Sequence, residues 1–598
     1  MSQTIQHPSV DVVVLGMGTM GGVVATELAT AGYKVVGLER GPQWDYYSDF
    51  YATKYDEWGI GFMRKYSDNL RAATATFRNN KDQFALPIRR NTPPPAGQFT
   101  STGYGVGGAC QHYAGQMGRF PPWVYQMYSQ TVNKYGLDFL NNAVPHQDVT
   151  DWPLTYNDYV PYYETWEQMW GVCGTDQGPL MPSLTAYPLP PAPETPVATA
   201  FKNAAEALGY HPFPTPQSLA SQGFVNQYGV AVQQCAYDGW CGGVCNYVCE
   251  TGAKANSDFR VIPAALKTGN LDLRLHSYVF RIDTDNSGKV TGVRYYDSQG
   301  NVNIQPATVV CNCLWGFNAV KIMLHSGIGE PYDPVNITGS MGRGIATGDP
   351  GAAVRSASGT LNIGANAYPA GNAQGSWSML DLADDYFDHK GLDFIGGAYV
   401  SVGGYAGGGP GNFNMFAINP SKNMIGGTFK AGLKDHFLPT KTNLSFAPYG
   451  MWPPTTDWYY SLDPHYSDIY GDPLPRFTID FGINTVRCAN YLAPKYADIL
   501  SKMGASNIQI SDPVNTESHM STWSIHTRGG ARLGSDPTVS VFNKWQQCWT
   551  SENLFAAGEF MDPTGDNTTI GGTHPIGPTS YVCAEGIKKY LQTPGPLV

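Results

Sequence analysis

A chain of 598 residues with 42% hydrophobic and 14% charged residues is long enough for two or more domains and too apolar to be disordered, while its 69 Gly and 44 Pro predict long ordered loops. The formal net charge of -11, without any cluster of Lys or Arg, offers no positive field to a phosphate backbone and argues against nucleic acid as a partner. No apolar run approaches the roughly 20 residues that span a bilayer, and residues 1–10 lack a charged segment followed by an apolar one, so the chain's own signals are those of a soluble, unexported protein with no membrane span of its own.

The first predicted elements follow at once. Residues 11–15 (Asp-Val-Val-Val-Leu) read as a buried strand, Gly16, Gly18 and Gly21 follow in GxGxxG spacing, Val23–Ala31 is helical in pattern, and a second apolar strand, Lys34–Leu38, ends in Glu39. Strand, glycines, helix, strand and terminal acid in this order make a complete dinucleotide-binding unit, which is far more specific than a lone glycine triplet. In such a unit Gly16 permits the tight turn, Gly18 lets backbone approach the pyrophosphate and Gly21 allows close helix packing. The helix N-terminus stabilises phosphate charge, and Glu39 accepts hydrogen bonds from the adenosine ribose. These residues alone suit an NAD enzyme as well as an FAD enzyme.

Further along, the Pro-rich stretch 188–196 predicts an extended connector. The 11 cysteines are odd in number, and Cys235, Cys241, Cys245 and Cys249 crowd together as C-x5-C-x3-C-x3-C, which argues for a local cluster over a pairwise disulfide framework. Residues 270–312 alternate as strands (Leu271–Leu275, Val279–Ile282, Val290–Tyr295) with turn signals at 286–288 and 298–300. Val309–Cys311 then reads as a buried strand before a helix, Phe317–Ser326. Between about 345 and 520 the chain is rich in Gly, Asn, Tyr and Trp and lacks a second nucleotide fingerprint, as expected of a substrate domain. The final helix, Tyr581–Leu591, carries Tyr581, Ala584, Ile587 and Leu591 on one face. The fold class is α/β, or α+β overall.

Several motifs, in this order, resemble the glucose-methanol-choline (GMC) oxidoreductase family. Glu39-Arg40-Gly41 and Ala557-Gly558-Glu559 look like the two ends of such a chain. Residues 76–80 (Thr-Phe-Arg-Asn-Asn), 105–109 (Gly-Val-Gly-Gly-Ala) and 151–156 (Asp-Trp-Pro-Leu-Thr-Tyr) are similar to the large flavoprotein subunits of gluconate, fructose and sorbitol dehydrogenases. So is His526 ahead of Gly529-Gly530-Ala531 and Gly534-Ser535-Asp536-Pro537, while pyranose 2-oxidase is a more distant likeness around Gly107. The resemblance implies FAD in place of NAD. It implies a Rossmann-like FAD-binding domain assembled from discontinuous segments (1–45, 96–120, 233–345 and 525–598) and a substrate domain with a large antiparallel sheet and peripheral segments (46–95, 121–232 and 346–524). The implied reaction oxidises a secondary hydroxyl of a sugar, polyol or sugar acid to a ketone and passes electrons to an external acceptor. The competing readings are a pyranose or glycoside oxidase using O2, an apolar-alcohol oxidase, and a non-catalytic electron-transfer flavoprotein.

The same likeness assigns residues. A flavin alcohol oxidation needs a base for the hydroxyl proton while the carbon-bound hydrogen leaves as hydride to N5, and histidine, with an ordinary pKa of about 6.5, suits that task. His526 takes the role of proton acceptor and His574 that of the partner that orients the hydroxyl or shares the proton, two roles that the residues leave interchangeable. Cofactor contacts fall to Gly107, Gly108, Gly558 and Glu559, the last two toward the pyrophosphate and ribityl chain. His112 stands where some relatives bind the flavin 8α-methyl covalently, the alternative being a histidine packed beside the ring. Arg528 and Arg532 depart from the apolar residues of similar loops, and contacts to an anionic substrate and surface positions are equal readings of them. For Cys235, Cys241, Cys245 and Cys249 the resemblance implies an iron–sulfur cluster, although Asp238 stands where a cysteine is usual; structural thiols or a disulfide, and a zinc site, are the other readings. The implied partners are a carbohydrate substrate, a small signal-bearing subunit and a cytochrome c acceptor. Co-export with that subunit makes the compartment periplasmic; the chain's own signals make it cytoplasmic.

Overall fold

The computed structural model describes residues 3–45, 75–78, 86–88, 104–111, 113, 115–181, 185–235, 237, 249, 251–347, 354–362, 375–383, 385–402, 441–447, 449–450, 452–479, 482–513, 526–565 and 573–597. Val12, Val13, Val14 and Leu15 are fully buried, as a strand covered on both faces must be, and they lie in the middle of a nine-stranded sheet. Its parallel part runs in the spatial order Ser551–Ala556, Val302–Asn312, Val10–Leu15, Val35–Leu38 and Leu271–Arg274. Val13 pairs with Val310 on one side and Val36 on the other. The strand Val302–Asn312 takes part in four ladders, with Thr4–Gln6 and Ser551–Ala556 among its partners. Its second half is parallel to Val10–Leu15, and its first half runs antiparallel to Val290–Tyr296, which pairs in turn with Tyr278–Thr284.

The first helix spans Thr19–Thr30 and begins four residues before the predicted Val23. Gly21 and Gly22 are poor helix formers, yet a Cβ on Gly21 would collide with the backbone oxygen of Gly16, so close packing overrides propensity here. The final helix, Thr579–Gln592, packs on this one with Tyr581, Ala584 and Ile587 buried and Leu591 partly so.

One large apolar core holds this sheet together with the helix Tyr156–Trp170, whose Trp166 and Trp170 stack at 4.7 Å. A second core gathers the helices Pro196–Ala207 and Ile483–Lys502 with the strands Ala357–Asn362 and Ala398–Val402. The Pro-rich connector leads straight into the first of these helices, where the Thr195 hydroxyl accepts from Ala198 N at 3.2 Å and Pro stands in the first turn. Antiparallel pairing is present as expected for a substrate region. Among the described residues it is divided over sheets of three strands (Lys441–Phe446, Ala357–Asn362, Ser506–Ile510) and four (Tyr449–Gly450, Ala398–Val402, Trp377–Met379, Phe213–Pro214). A further four-stranded sheet joins Tyr459–Ser467 and Pro473–Thr478 to Ala75–Arg78 and Leu86–Ile88. No described helix is long and apolar enough to cross a membrane.

Candidate active site

Glu39 closes the strand Val35–Leu38, and three backbone amides converge on its buried carboxylate. Met17 N donates to Oε2 at 3.0 Å, and Gly41 N and Gly105 N each donate to Oε1 at 3.0 Å. Burial pushes this carboxyl up, and the amides together with Arg40 pull against it. One side chain therefore stitches the glycine turn, its own strand end and the loop 104–111. Of the roughly four lone-pair positions of a carboxylate, three are used, which leaves acceptor capacity toward the neighbouring cleft.

The loop 104–111 lies directly on the glycine turn, with Gly107 N donating to Met17 O at 3.0 Å. Gly108 has a φ of +56°, and a Cβ on it would come within 2.9 Å of the Gly18 Cα, so backbone meets backbone with no room for a side chain. Next to this contact Cys110 Sγ lies 2.7 Å from the Thr19 hydroxyl and 3.8 Å from that of Thr573. Burial pushes the Cys110 thiol up to about 11, so it is a protonated packing group at neutral pH and not a nucleophile.

Thr573 belongs to the one-turn helix Thr573–Ile576, which also carries His574. The segment from His526 to Leu533 packs along Glu559–Met561. Thr527–Arg528 pairs with Ala346–Thr347, and Gly529 N, Ala531 N and Leu533 N then donate to Glu559 O, Phe560 O and Met561 O at 3.1, 3.0 and 2.9 Å. This ladder carries the half-buried His526 to Glu559. Burial pushes the Glu559 carboxyl up, while the charges of Arg528 and His526 oppose the rise, so His526 and Glu559 lie within each other's field.

Glycine turn, second loop and late segment line one cleft. Gly18, Glu39, Gly108, Gly558, Glu559 and Thr573 line it. A long cleft with glycine walls, a helix N-terminus with no acidic residue in its first turn and an acceptor carboxylate at a strand end is the donor and shape set that a dinucleotide needs.

Of the other predicted residues, His112, Cys241 and Cys245 lie outside the described residues, as does the side chain of His574. Cys235 is buried and Cys249 half-buried, and Lys254 N lies 3.4 Å from Cys249 Sγ. Among the described residues no three His, Cys, Asp or Glu are grouped to hold a metal. Lys254 Nζ donates to Gln111 O at 3.2 Å and Tyr113 O at 2.9 Å, which ties the end of the cysteine segment to both flanks of position 112. Neither Arg528 nor Arg532 is on the surface. Arg528 is fully buried and pairs with the buried Asp562 at 2.9 Å. Arg532 donates to the backbone oxygens of Asp148 and Val539 at 2.6 and 3.1 Å, and its guanidinium lies 3.0 Å from the Asp148 carboxylate. The sequence reading missed Cys110, Thr573, Tyr278, Lys321, His325 and Asp472 on the cleft wall. The first two adjoin recognised motifs, whereas the others carry no local signature.

Parallel sheet, glycine turn, strand-end acid and cleft define a Rossmann-like dinucleotide-binding protein. The family model for GMC oxidoreductases matches residues 154–346. The chain is similar to the gluconate 2-dehydrogenase flavoprotein of Pantoea cypripedii, at 31% identity covering 98% of this chain and 95% of that protein. It is also similar to the fructose dehydrogenase large subunit of Gluconobacter japonicus, at 23% identity over 98% of both. In fold it resembles the crystal structure of pyridoxine 4-oxidase from Mesorbium loti, with a TM-score of 0.56 at 15% identity, covering 98% of this chain and 100% of that one. The chain belongs to the GMC oxidoreductase family, and it is an FAD-dependent oxidoreductase acting on CH–OH groups.

Proposed function

We propose that the protein is a dehydrogenase that oxidises a secondary hydroxyl of a sugar, polyol or sugar acid to a ketone, with His526 as the base. The observation that carries this reading is the cleft wall itself, to which Glu559, within the field of His526, and Thr573, the first residue of the helix that carries His574, both contribute. FAD bound there supplies the hydride acceptor. His526 takes the hydroxyl proton as the carbon–hydrogen bond breaks, and the nearby carboxyl of Glu559 stabilises the resulting imidazolium. His574 orients the hydroxyl from the facing helix. Gly558 and Gly108 let backbone approach the cofactor, and Lys254, bonded to both neighbours of His112, fixes the loop from which His112 bonds the flavin. Gluconate and fructose dehydrogenase relatives, the latter named as a large subunit, support a small-subunit partner and an electron acceptor other than O2.

The decisive experiment is anaerobic bleaching of the flavin by a panel of hexoses, polyols and aldonic acids. At least one member of the panel bleaches it, and His526→Ala lowers the rate by roughly 10²–10⁴. A panel that leaves the flavin yellow sinks the sugar reading, and peroxide formed without added acceptor converts it to an oxidase. Flavin that stays with acid-precipitated wild-type protein but leaves His112→Ala supports the covalent bond. Iron below one cluster per chain removes the metal from the electron route.

A further inference from the structure

The acid at the end of the second strand of a dinucleotide unit meets the adenosine ribose, so Glu39 marks the adenosine end of the cleft. Ser277 N donates to Glu39 O at 2.8 Å, which starts the strand Tyr278–Thr284 beside that end, and Tyr278 lines the cleft there with Lys321, His325 and Asp472. Asp472 comes from a distant part of the chain, the turn between the strands Tyr459–Ser467 and Pro473–Thr478. This turn is built and anchored by a single carboxylate. Asp468 Oδ1 accepts from Tyr470 N at 2.9 Å and Asp472 N at 3.0 Å, which shapes the turn. Its Oδ2 accepts from Lys321 Nζ at 2.7 Å and Tyr278 Oη at 3.1 Å, which fastens the turn to the cleft wall. Burial tends to raise the Asp468 carboxyl, yet Lys321 and the amides hold it below the usual range, as expected of a carboxylate whose charge is in use. The Tyr470 ring lies 4.7 Å from that of Tyr278 and stacks at 4.9 Å on Tyr296. His325 Nε2 is 3.5 Å from Asp472 Oδ1. The polar anchors of the turn thus reach the groups that wall the cleft, and among the described residues no regular ladder joins it to the dinucleotide sheet.

We propose that the turn 467–472 is part of the cofactor site and closes its adenosine end over the ADP half of FAD. Asp472 and His325 form the outer wall, and Asp468 with Tyr470 holds that wall shut. Release of the dinucleotide then requires the Lys321–Asp468 pair to break and Tyr470 to leave Tyr278. The contribution is kinetic as well as energetic, because dissociation waits on the opening of this wall.

The test uses full-length holoprotein carrying His112→Ala, so that no bond from that histidine masks release. FAD appearing in flavin-free buffer is followed by its fluorescence. Asp468→Asn and Tyr470→Ala each release FAD at least ten times faster than the His112→Ala parent. Lys134→Met, which breaks a comparable ion pair to Asp385 remote from the cleft, stays within twofold of it. Should Asp468→Asn fail to fold, Tyr470→Ala decides alone, since that ring is 45% exposed and its loss is tolerated. Release within twofold of the parent for Tyr470→Ala overturns the proposal. The readout involves no turnover, so a sugar panel that fails to bleach the flavin leaves this result standing.

Discussion

The two sides of the cleft are held together by different physics. On the side of the glycine turn, Val12–Leu15 are fully buried hydrocarbon between parallel neighbours, and the one inward carboxylate, Glu39, is held chiefly by backbone amides. On the side of His526 the chain runs as loop with two-residue strands, and buried ions fix it. Arg528 pairs with Asp562, and Arg343 and Arg532 share Asp148. A regular sheet orients its residues through its own ladder. A loop has no ladder of that length, and charged hydrogen bonds with fixed direction take over. Such pairs contribute little net stability, because desolvation offsets most of the attraction. What they supply is position, and their removal is felt far more than their presence.

That contrast breaks most sharply at Asp562. Asp562→Ala leaves the Arg528 guanidinium buried without its carboxylate beside Phe120, over whose ring it sits at 5.3 Å, and costs about 3–5 kcal/mol. Replacing both partners, Arg528→Met with Asp562→Leu, recovers only the part lost to the unpaired guanidinium, because the buried Thr564 and Gly565 amides that donate to Asp562 Oδ1 still lose their acceptor, and it leaves flavin reduction slow because His526 loses its fixed segment. Urea unfolding and anaerobic bleaching, run on the same three proteins, separate the two effects. If the double variant reduces its flavin as fast as wild type, the pair does not position the histidine.

On the sheet side the corresponding change is one of volume. Val14→Ala removes fully buried methyl groups and costs about 1.5–3 kcal/mol, with flavin reduction at saturating FAD nearly unchanged. Urea unfolding beside a bleaching trace checks both halves. A stability loss below that of a surface substitution would mean that the sheet relaxes around the gap.

The same contrast decides what was legible in the sequence. The strand at 11–15, the glycine turn and the final helix are written in local periodicity, and all three occupy their predicted places within a few residues. Their errors are local too. The first helix starts early because Gly21 and Gly22 serve packing, and the strand ending at Asn312 begins at Val302 because Pro306 sits where its ladder changes from antiparallel to parallel. The loop side is written in pairs that are far apart in sequence. Arg528 finds Asp562, Arg343 finds Asp148, and Lys321 finds Asp468, and no periodicity announces such partners. Hence Arg528 and Arg532 read equally well as surface or substrate contacts until their burial is seen. Resemblance proposes the chemistry-bearing residues; the buried ion pairs around them it does not announce.

Acid titration offers the smallest and most discriminating probe, because two carboxylates of the loop side shift in opposite directions. Asp468 is held below its usual range by Lys321 and the turn amides, against burial. Its contribution is therefore fully present above the unfolded value of about 3.9 and is lost as pH falls through the lower folded value. Glu559 is pushed up by burial, with Arg528 and His526 opposing. Its ionised form is the costly one, so folding gains stability as pH falls through the raised folded value toward the unfolded one. Melting temperatures of Asp468→Asn and Glu559→Gln, each measured against wild type from roughly pH 3 to pH 8, follow from these signs. The wild-type advantage over Asp468→Asn holds at neutral pH and shrinks only in the acid range. Wild type gains on Glu559→Gln as the pH is lowered from neutral, because its own carboxyl takes up a proton that the amide does not need. A Glu559→Gln difference that stays flat across this range would mean that the carboxyl titrates alike in the folded and unfolded chain, so that its burial beside His526 costs the ionised form nothing.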